Sequence, residues 1–274
     1  MLPSVFLSHG APLVAIDGDP ARRAWSALAE ALPRPRAVVV MSPHWLARTP
    51  QVGGAAQHTT LHDFGGMPRA LYEIDYAPPG EPDLARAVAE RLAAAGIDCT
   101  VADRRQLDHG AWVPLQAMYP RADVPVVQVA VQPRLGPRHH YAMGEALTDL
   151  RDAGILVVGS GALTHNLYEV RLDRREATVP GWVRDFTDWM AARLDAGDVD
   201  SLLDYRRLAP DAERNHPTEE HLLPLFFACG AASRLAAVRR FHRGYAYGLL
   251  AMDVYLLGTG SGISQAAAPR SDTG

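Results

Sequence analysis

The stretch AVVVMSPHW, Ala37 to Trp45, decides how the rest of the chain is read. Ala37 to Met41 is a continuous aliphatic run without polar alternation, the pattern of a strand covered on both faces. Ser42 and Pro43 interrupt it, and His44 and Trp45 follow. In an open α/β sheet, ligands bind beyond the carboxyl ends of the strands, so this spacing puts His44 at such an end. The same transition occurs twice more. SVFL (4–7) runs into SHGAP, which places His9, and ILVVGSG (155–161) runs into ALTHN, which places His165. One histidine after a strand is more often a satisfied loop residue than a ligand. Three at equivalent positions strengthen the case for a shared rim.

Around these strands, helical and strand patterns alternate. Helices are expected over Pro20–Leu32, Pro82–Ala95 and Arg138–Ala153, with Pro82 opening and Gly96 closing the second. IDCTV (97–101) and VPVVQVAV (124–131) supply further strands. The second half is more helical, over Trp182–Ala196 and Thr218–Cys229, before a late strand within Tyr245–Leu257. This order predicts an α/β fold, a central mostly parallel or mixed sheet with helices on both faces, and an active site at the strand carboxyl ends. Residues 1–258 are expected to form a single α/β domain. Residues 259–274, rich in Gly, Ser and Ala, are expected to be a flexible tail.

Composition narrows the chemistry. The 274 residues are 48% hydrophobic with a net charge of -4, which suits a large core and argues against a nucleic-acid partner. No apolar run is long enough to span a bilayer, and MLPSVFLSHG lacks the basic start of a signal peptide, so a cytoplasmic protein is expected. Cys99 and Cys229 form no metal-binding pair and read as small core residues. All 27 Lys+Arg positions are arginine. The absence of lysine excludes Schiff-base chemistry, lysine-anchored pyridoxal phosphate and a P-loop. GSGA (159–162) does not fit G-x-S-x-G and reads as a tight turn at a strand end.

Histidine, by contrast, occurs 11 times. In HPTEEHLLPLFF (216–227), Thr218 fits an N-cap and His221 the third helical position, where the helix dipole favours a neutral imidazole. Spacing alone favours a surface histidine there, with Glu219 and Glu220 complementing the dipole. In LDHGAWVPL (107–115), Asp108 and Gly110 flank His109 in a turn leading to a helix near Trp112. His58 and His62 have the spacing of a helical metal pair but lie among helix breakers. His139 and His140 read as a solvated helix start, and His216 and His242 as surface. Arg69 and Arg134 fit solvated surface better than a carboxylated substrate.

Taken together, SHGAP, SPHW, LHDFGGMPRALYEIDYAPPG, LDHGAWVPL, GSGALTHNL and TEEHLLPL resemble, in order and spacing, the class III extradiol ring-cleavage dioxygenases of the 4,5-DOPA dioxygenase type. The resemblance runs nearly the whole length through Leu257. It implies extradiol cleavage of a DOPA-like catechol by dioxygen, giving a muconic semialdehyde-type product. It further implies that His9, His44 and His221 bind one divalent metal, with His165 either a further ligand or the nearby acid/base. His109 would face the substrate as a second catalytic group, and His62 and Asp63 would line the pocket. Trp45, Phe64 and Trp112 are candidates for an aromatic wall. Many class III enzymes use two histidines and a carboxylate; three neutral ligands here suit Zn(II) as well as the Fe(II) expected for turnover.

Two other readings compete. One is a non-catalytic, Memo-like protein that binds a partner on the same architecture, and the other is a zinc hydrolase, which would need Glu219 or Glu220 turned inward as base. The expected partners are a small-molecule catechol and dioxygen, in a monomer or small homo-oligomer.

Overall fold

A computed structural model describes residues 1–258 other than 172, 175, 176, 233, 234 and 236; the expected tail, 259–274, lies outside the described residues. The strands are β1 (Ser4–Ser8), β2 (Ala37–Leu46), β3 (Gln51–Gly53), β4 (Thr100–Ala102), β5 (Val126–Val131), β6 (Ile155–Gly161), β7 (Val238–His242), β8 (Tyr245–Ala246), β9 (Leu250–Ala251) and β10 (Val254–Leu257). Eight of them form one sheet in the order β4-β3-β5-β2-β6-β1-β10-β7, and β8 and β9 pair separately. The central pairs β5–β2, β2–β6 and β6–β1 are parallel. β10 is antiparallel to both β1 and β7, and β3 to β5, so the sheet is mixed.

Alternate strand residues feed two cores, as the continuous apolar runs require. Phe6, Val39, Met41 and Val157 pack against helices Pro82–Ala94, Gly181–Asp195 and Leu223–Ala231. Val5, Leu7, Val38, Val40 and Val158 pack on the other face, with Trp25 and Leu28 of helix Pro20–Ala31 and Trp112 of helix His109–Met118. The predicted layering of helices on both faces is therefore observed. No helix among the described residues is long and apolar enough to cross a membrane.

Several local expectations are corrected. The helix predicted from Thr218 begins at Leu223, with Pro224 in its first turn, where a missing N–H costs nothing. His221 thus precedes the helix. The segment predicted as helix Arg138–Ala153 divides into helix Gly136–Glu145 and a short 3-10 turn, Thr148–Arg151. Tyr245–Leu257 is three short strands, because Tyr247 and Gly248 both take positive φ and turn the chain between β8 and β9. The arginine-rich strand Val238–His242 was not expected. Asp108 caps the helix that starts at His109, three residues before Trp112, by accepting from Ala111 N–H.

The GSG sequence is not a turn but the end of strand β6. Its glycines serve close packing: a Cβ on Gly159 would run into the Pro224 carbonyl, and one on Gly161 into the His221 carbonyl. This close approach draws His221 over the strand ends, and Ala162 N–H donates to its carbonyl at 2.8 Å.

His140 and His216 are fully buried rather than solvated. His140 accepts from Gln132 N–H through Nε2 (3.2 Å) and donates through Nδ1 to the Gly136 carbonyl (2.7 Å). His216 Nε2 lies 2.9 Å from the Leu163 carbonyl. Each ring replaces water with backbone partners, which a sequence pattern does not reveal. His242 is half-buried, as is Cys99, whereas Cys229 is in the core.

Candidate functional site

The three strand-end positions do converge. His9 follows β1 directly. His44 lies within β2, at an irregularity: Met41 pairs with Val129 and Leu46 with Val131, so five steps along β2 match two along β5. The extra residues swing His44 out of the ladder, the usual use of a strand irregularity beside a site. His221 arrives from the segment over Gly161. His9, His44 and His221 each offer one ring nitrogen, all within 4.8 Å of one another. His9 Nε2 and His44 Nε2 are 3.2 Å apart.

Neighbouring groups set two of the tautomers. Ser160 donates its hydroxyl hydrogen to the Gly110 carbonyl, so its oxygen accepts from His9 Nδ1–H at 3.2 Å. His221 Nδ1 donates to Glu220 Oε1 at 3.0 Å, and His44 Nδ1 faces Asp63 Oδ2 at 3.7 Å. In the neutral His9 and His221 rings, the Nε2 lone pair is then left over. At 3.2 Å, His44 Nε2 either donates to the His9 Nε2 lone pair or turns its own lone pair to a shared cation, and three ring nitrogens this close together fit a divalent metal.

Burial enforces neutrality. It is the largest influence holding His9 and His221 well below the ordinary imidazole range, with the surrounding imidazoles adding to it. His44 is lowered to about 3 by burial and by His109, against the opposing pull of Asp63. Neutral imidazole is the ligand form, so no proton need be expelled for a cation to enter at pH 7.

His165 stands outside this triplet. Its ring is stacked on that of His221, and it forms a second group with Glu220 and His221. Burial lowers it to about 4, with Glu220 opposing. His109, at the start of its helix, packs on His44 with ring centroids 3.9 Å apart. Asp63 accepts from both its Nδ1–H (2.9 Å) and its backbone N–H (3.0 Å). Asp108, the sequence neighbour, turns away to accept from Ser42 and Gln128. Burial works to raise the Asp63 carboxyl, but the His109 hydrogen bonds prevail and hold it below the usual range.

All five histidines, 9, 44, 109, 165 and 221, border one cavity of about 340 Å³. Phe64 borders it too. His62, Asp63, Trp45 and Trp112 do not border it: His62 lies 3.0 Å through Nε2 from the Ile74 carbonyl, Asp63 holds His109, Trp112 donates to the Leu61 carbonyl, and Trp45 lies under the Arg105 guanidinium. Sequence reasoning missed Ser160 as the partner of His9. Its only local signal was a polar residue closing an apolar strand. No carboxylate borders the cavity among the described residues. Glu219 is held by Tyr205 and Glu220 by Thr218 and His221.

Imidazoles gathered over the carboxyl ends of the parallel strands of a mixed sheet, beside an apolar cavity, form a candidate metal-binding site where such sheets take their ligands. Residues 3–253 match the family described as the catalytic LigB subunit of aromatic ring-opening dioxygenase, and the chain belongs to that family. It is 36% identical over 254 residues to the 4,5-DOPA dioxygenase extradiol of Beta vulgaris, covering 91% of this chain and 94% of the relative. It is 38% identical over 233 residues to the protein of that name from Escherichia coli strain K12, covering 84% and 85%. A crystal structure of an uncharacterized protein from Escherichia coli K12 superimposes with a TM-score of 0.80 at 32% identity, covering 94% of this chain and all of that one.

Proposed function

We propose that this protein opens the ring of a catechol with dioxygen, in the extradiol manner, at the cavity above His9, His44 and His221. The observation that carries the reading is the meeting of three neutral imidazoles, each offering a ring nitrogen within 4.8 Å of the others, under a cavity flanked by two further histidines. Those three would hold one divalent ion, Fe(II) for turnover, with Zn(II) able to take the same donors. The bound ion supplies the acidity toward the catechol hydroxyls and the electron donation to dioxygen that no side chain offers.

The remaining work falls to side chains. His165 is neutral at pH 7 and borders the cavity, so it accepts the proton a catechol hydroxyl gives up and returns it later in the reaction. Glu220, grouped with His165, favours the protonated ring that results. His109, locked by Asp63 through Nδ1, keeps Nε2 for the substrate or for oxygen. Phe64 and the other apolar walls exclude water from the site. Glu219 is hydrogen-bonded to Tyr205 and Glu220 to Thr218 and His221, so neither borders the cavity as the inward carboxylate base expected of a hydrolase, and the curated relatives support ring opening over a purely binding role.

The test is to load the protein anaerobically with Fe(II), add a catechol, and admit oxygen. One dioxygen consumed per catechol, with a yellow ring-opened product, is expected; hydrolysis of esters or amides without oxygen uptake would replace this reading.

A further inference from the structure

Arg105 does not border the cavity, yet it holds the chain at one of the three imidazoles beneath it. Along β2, Met41 pairs with Val129 and Leu46 with Val131, so residues 42–45 run out of step with β5. Side chains take over there from the regular ladder. The His44 N–H donates to Ser42 Oγ at 3.4 Å, and the Arg105 guanidinium donates to the His44 carbonyl at 3.2 Å. The same guanidinium lies over the Trp45 ring, 5.0 Å from its centroid. One planar cation thus holds two consecutive residues, the first by a charge-assisted hydrogen bond and the second by its face.

This hold is anchored in the protein interior. The nitrogen that meets the His44 carbonyl also donates to Asp108 Oδ2 at 3.3 Å, and Asp108 is fully buried. Its carboxylate accepts in addition from Ser42 Oγ (2.6 Å), from the Gln128 amide and from the Ala111 N–H (3.2 Å). Ser42, Asp108, Arg105 and the backbone of His44 therefore close a ring of contacts, and His109 follows Asp108 directly. We infer that Arg105 is a positioning residue for the metal site, fixing the backbone at His44 and so the direction of its ring toward His9 and His221. This rests on the reading of His44 as a metal ligand. A guanidinium bridges carbonyl and carboxylate while stacking on an aromatic face; an ammonium offers only a point charge.

The test titrates the metal-free protein with Co(II) alone and follows its visible absorption, in Arg105→Met, Arg105→Lys, Tyr76→Phe and His44→Ala. Arg105→Met keeps a flexible chain over Trp45 and removes the donors. Its Co(II) dissociation constant is expected to rise about 10- to 100-fold, with an altered spectrum. Arg105→Lys retains one charged donor and is expected to lose less. Tyr76→Phe removes hydroxyl bonds to the Leu115 and Tyr119 carbonyls, farther along the helix that starts at His109, and is expected to bind Co(II) as the wild type does. Thermal unfolding of each metal-free variant is measured alongside; if Arg105→Met does not fold, Arg105→Gln carries the same expectation. Wild-type affinity and spectrum in Arg105→Met overturn the inference, as does an equal loss in Arg105→Lys or in Tyr76→Phe. If His44→Ala keeps the wild-type spectrum, the reading of His44 as a ligand falls and the inference with it. If His44→Ala loses that spectrum while Arg105→Met keeps it, the ligand stands and only the role of Arg105 falls.

Discussion

The imidazole of His165 lies flat on that of His221, with ring centroids 3.4 Å apart and planes inclined by only 9°. Such a stack suits two neutral rings, and burial keeps both in that form. It also sets His165 beside the metal-fitting triplet without making it part of it. Replacing His165 with Phe preserves the stack and removes only the proton acceptor. The expected result is unchanged metal content and catechol binding, with kcat reduced about 100- to 10,000-fold. Oxygen uptake and elemental analysis on one preparation test this, and undiminished ring opening would remove His165 as the proton shuttle.

His44→Ala takes away one of three donors, and no carboxylate borders the cavity among the described residues. The purified protein is expected to lose stoichiometric metal while its circular dichroism stays native. Full occupancy in this variant would place His44 outside the ligand set.

Ser160→Ala leaves His9 Nδ1–H without its acceptor, so the ring loses the contact that fixes its tautomer and orientation. Metal affinity is expected to fall about 10- to 100-fold. Competition with a chromophoric chelator measures it, and an unchanged affinity would mean that packing alone holds His9.

Gly110 lies under two of the imidazoles. A Cβ there would stand 2.9 Å from His44 Cδ2 and 3.2 Å from His9 Cε1, besides striking the Ser42 hydroxyl. Gly110→Ala is therefore expected to weaken metal retention more than it lowers the unfolding temperature. Retention at the wild-type level would show that the rings give way freely.

Acid should destabilise the fold through His140, which burial lowers from 6.5 to about 4 despite the Gly136 carbonyl. Between those values the unfolded chain binds a proton that the folded chain refuses. The stabilisation is complete above pH 6.5 and disappears as pH falls toward 4, a loss of about 3 kcal/mol. Unfolding midpoints measured with chelator present should fall across this window. His140→Gln, which does not titrate there, should show a shallower fall; parallel curves would refute the assignment.

The legible part of the site followed strand geometry. His9, His44 and His165 stood out because continuous apolar runs mark buried parallel strands, whose carboxyl ends lie on one rim. His221 was harder, since its placement depends on Gly161 letting a distant backbone approach the strand. Asp63 and Ser160 could not be assigned their partners at all. Asp63 meets His109 across 46 residues and Ser160 meets His9 across 151. Asp108, adjacent to His109, was the more obvious candidate, and it caps a helix instead.

By itself, then, the sequence determined the layered α/β architecture and the histidines that fit its family's motifs, because periodicity and local order are written along the chain. Only the tertiary structure decided which rings meet, which nitrogen of His9 and of His221 keeps its lone pair, and how apolar the cavity beside them is. Those properties depend on distance, burial and hydrogen bonds between segments far apart in sequence, and they exist only once the sheet has brought the strand ends together.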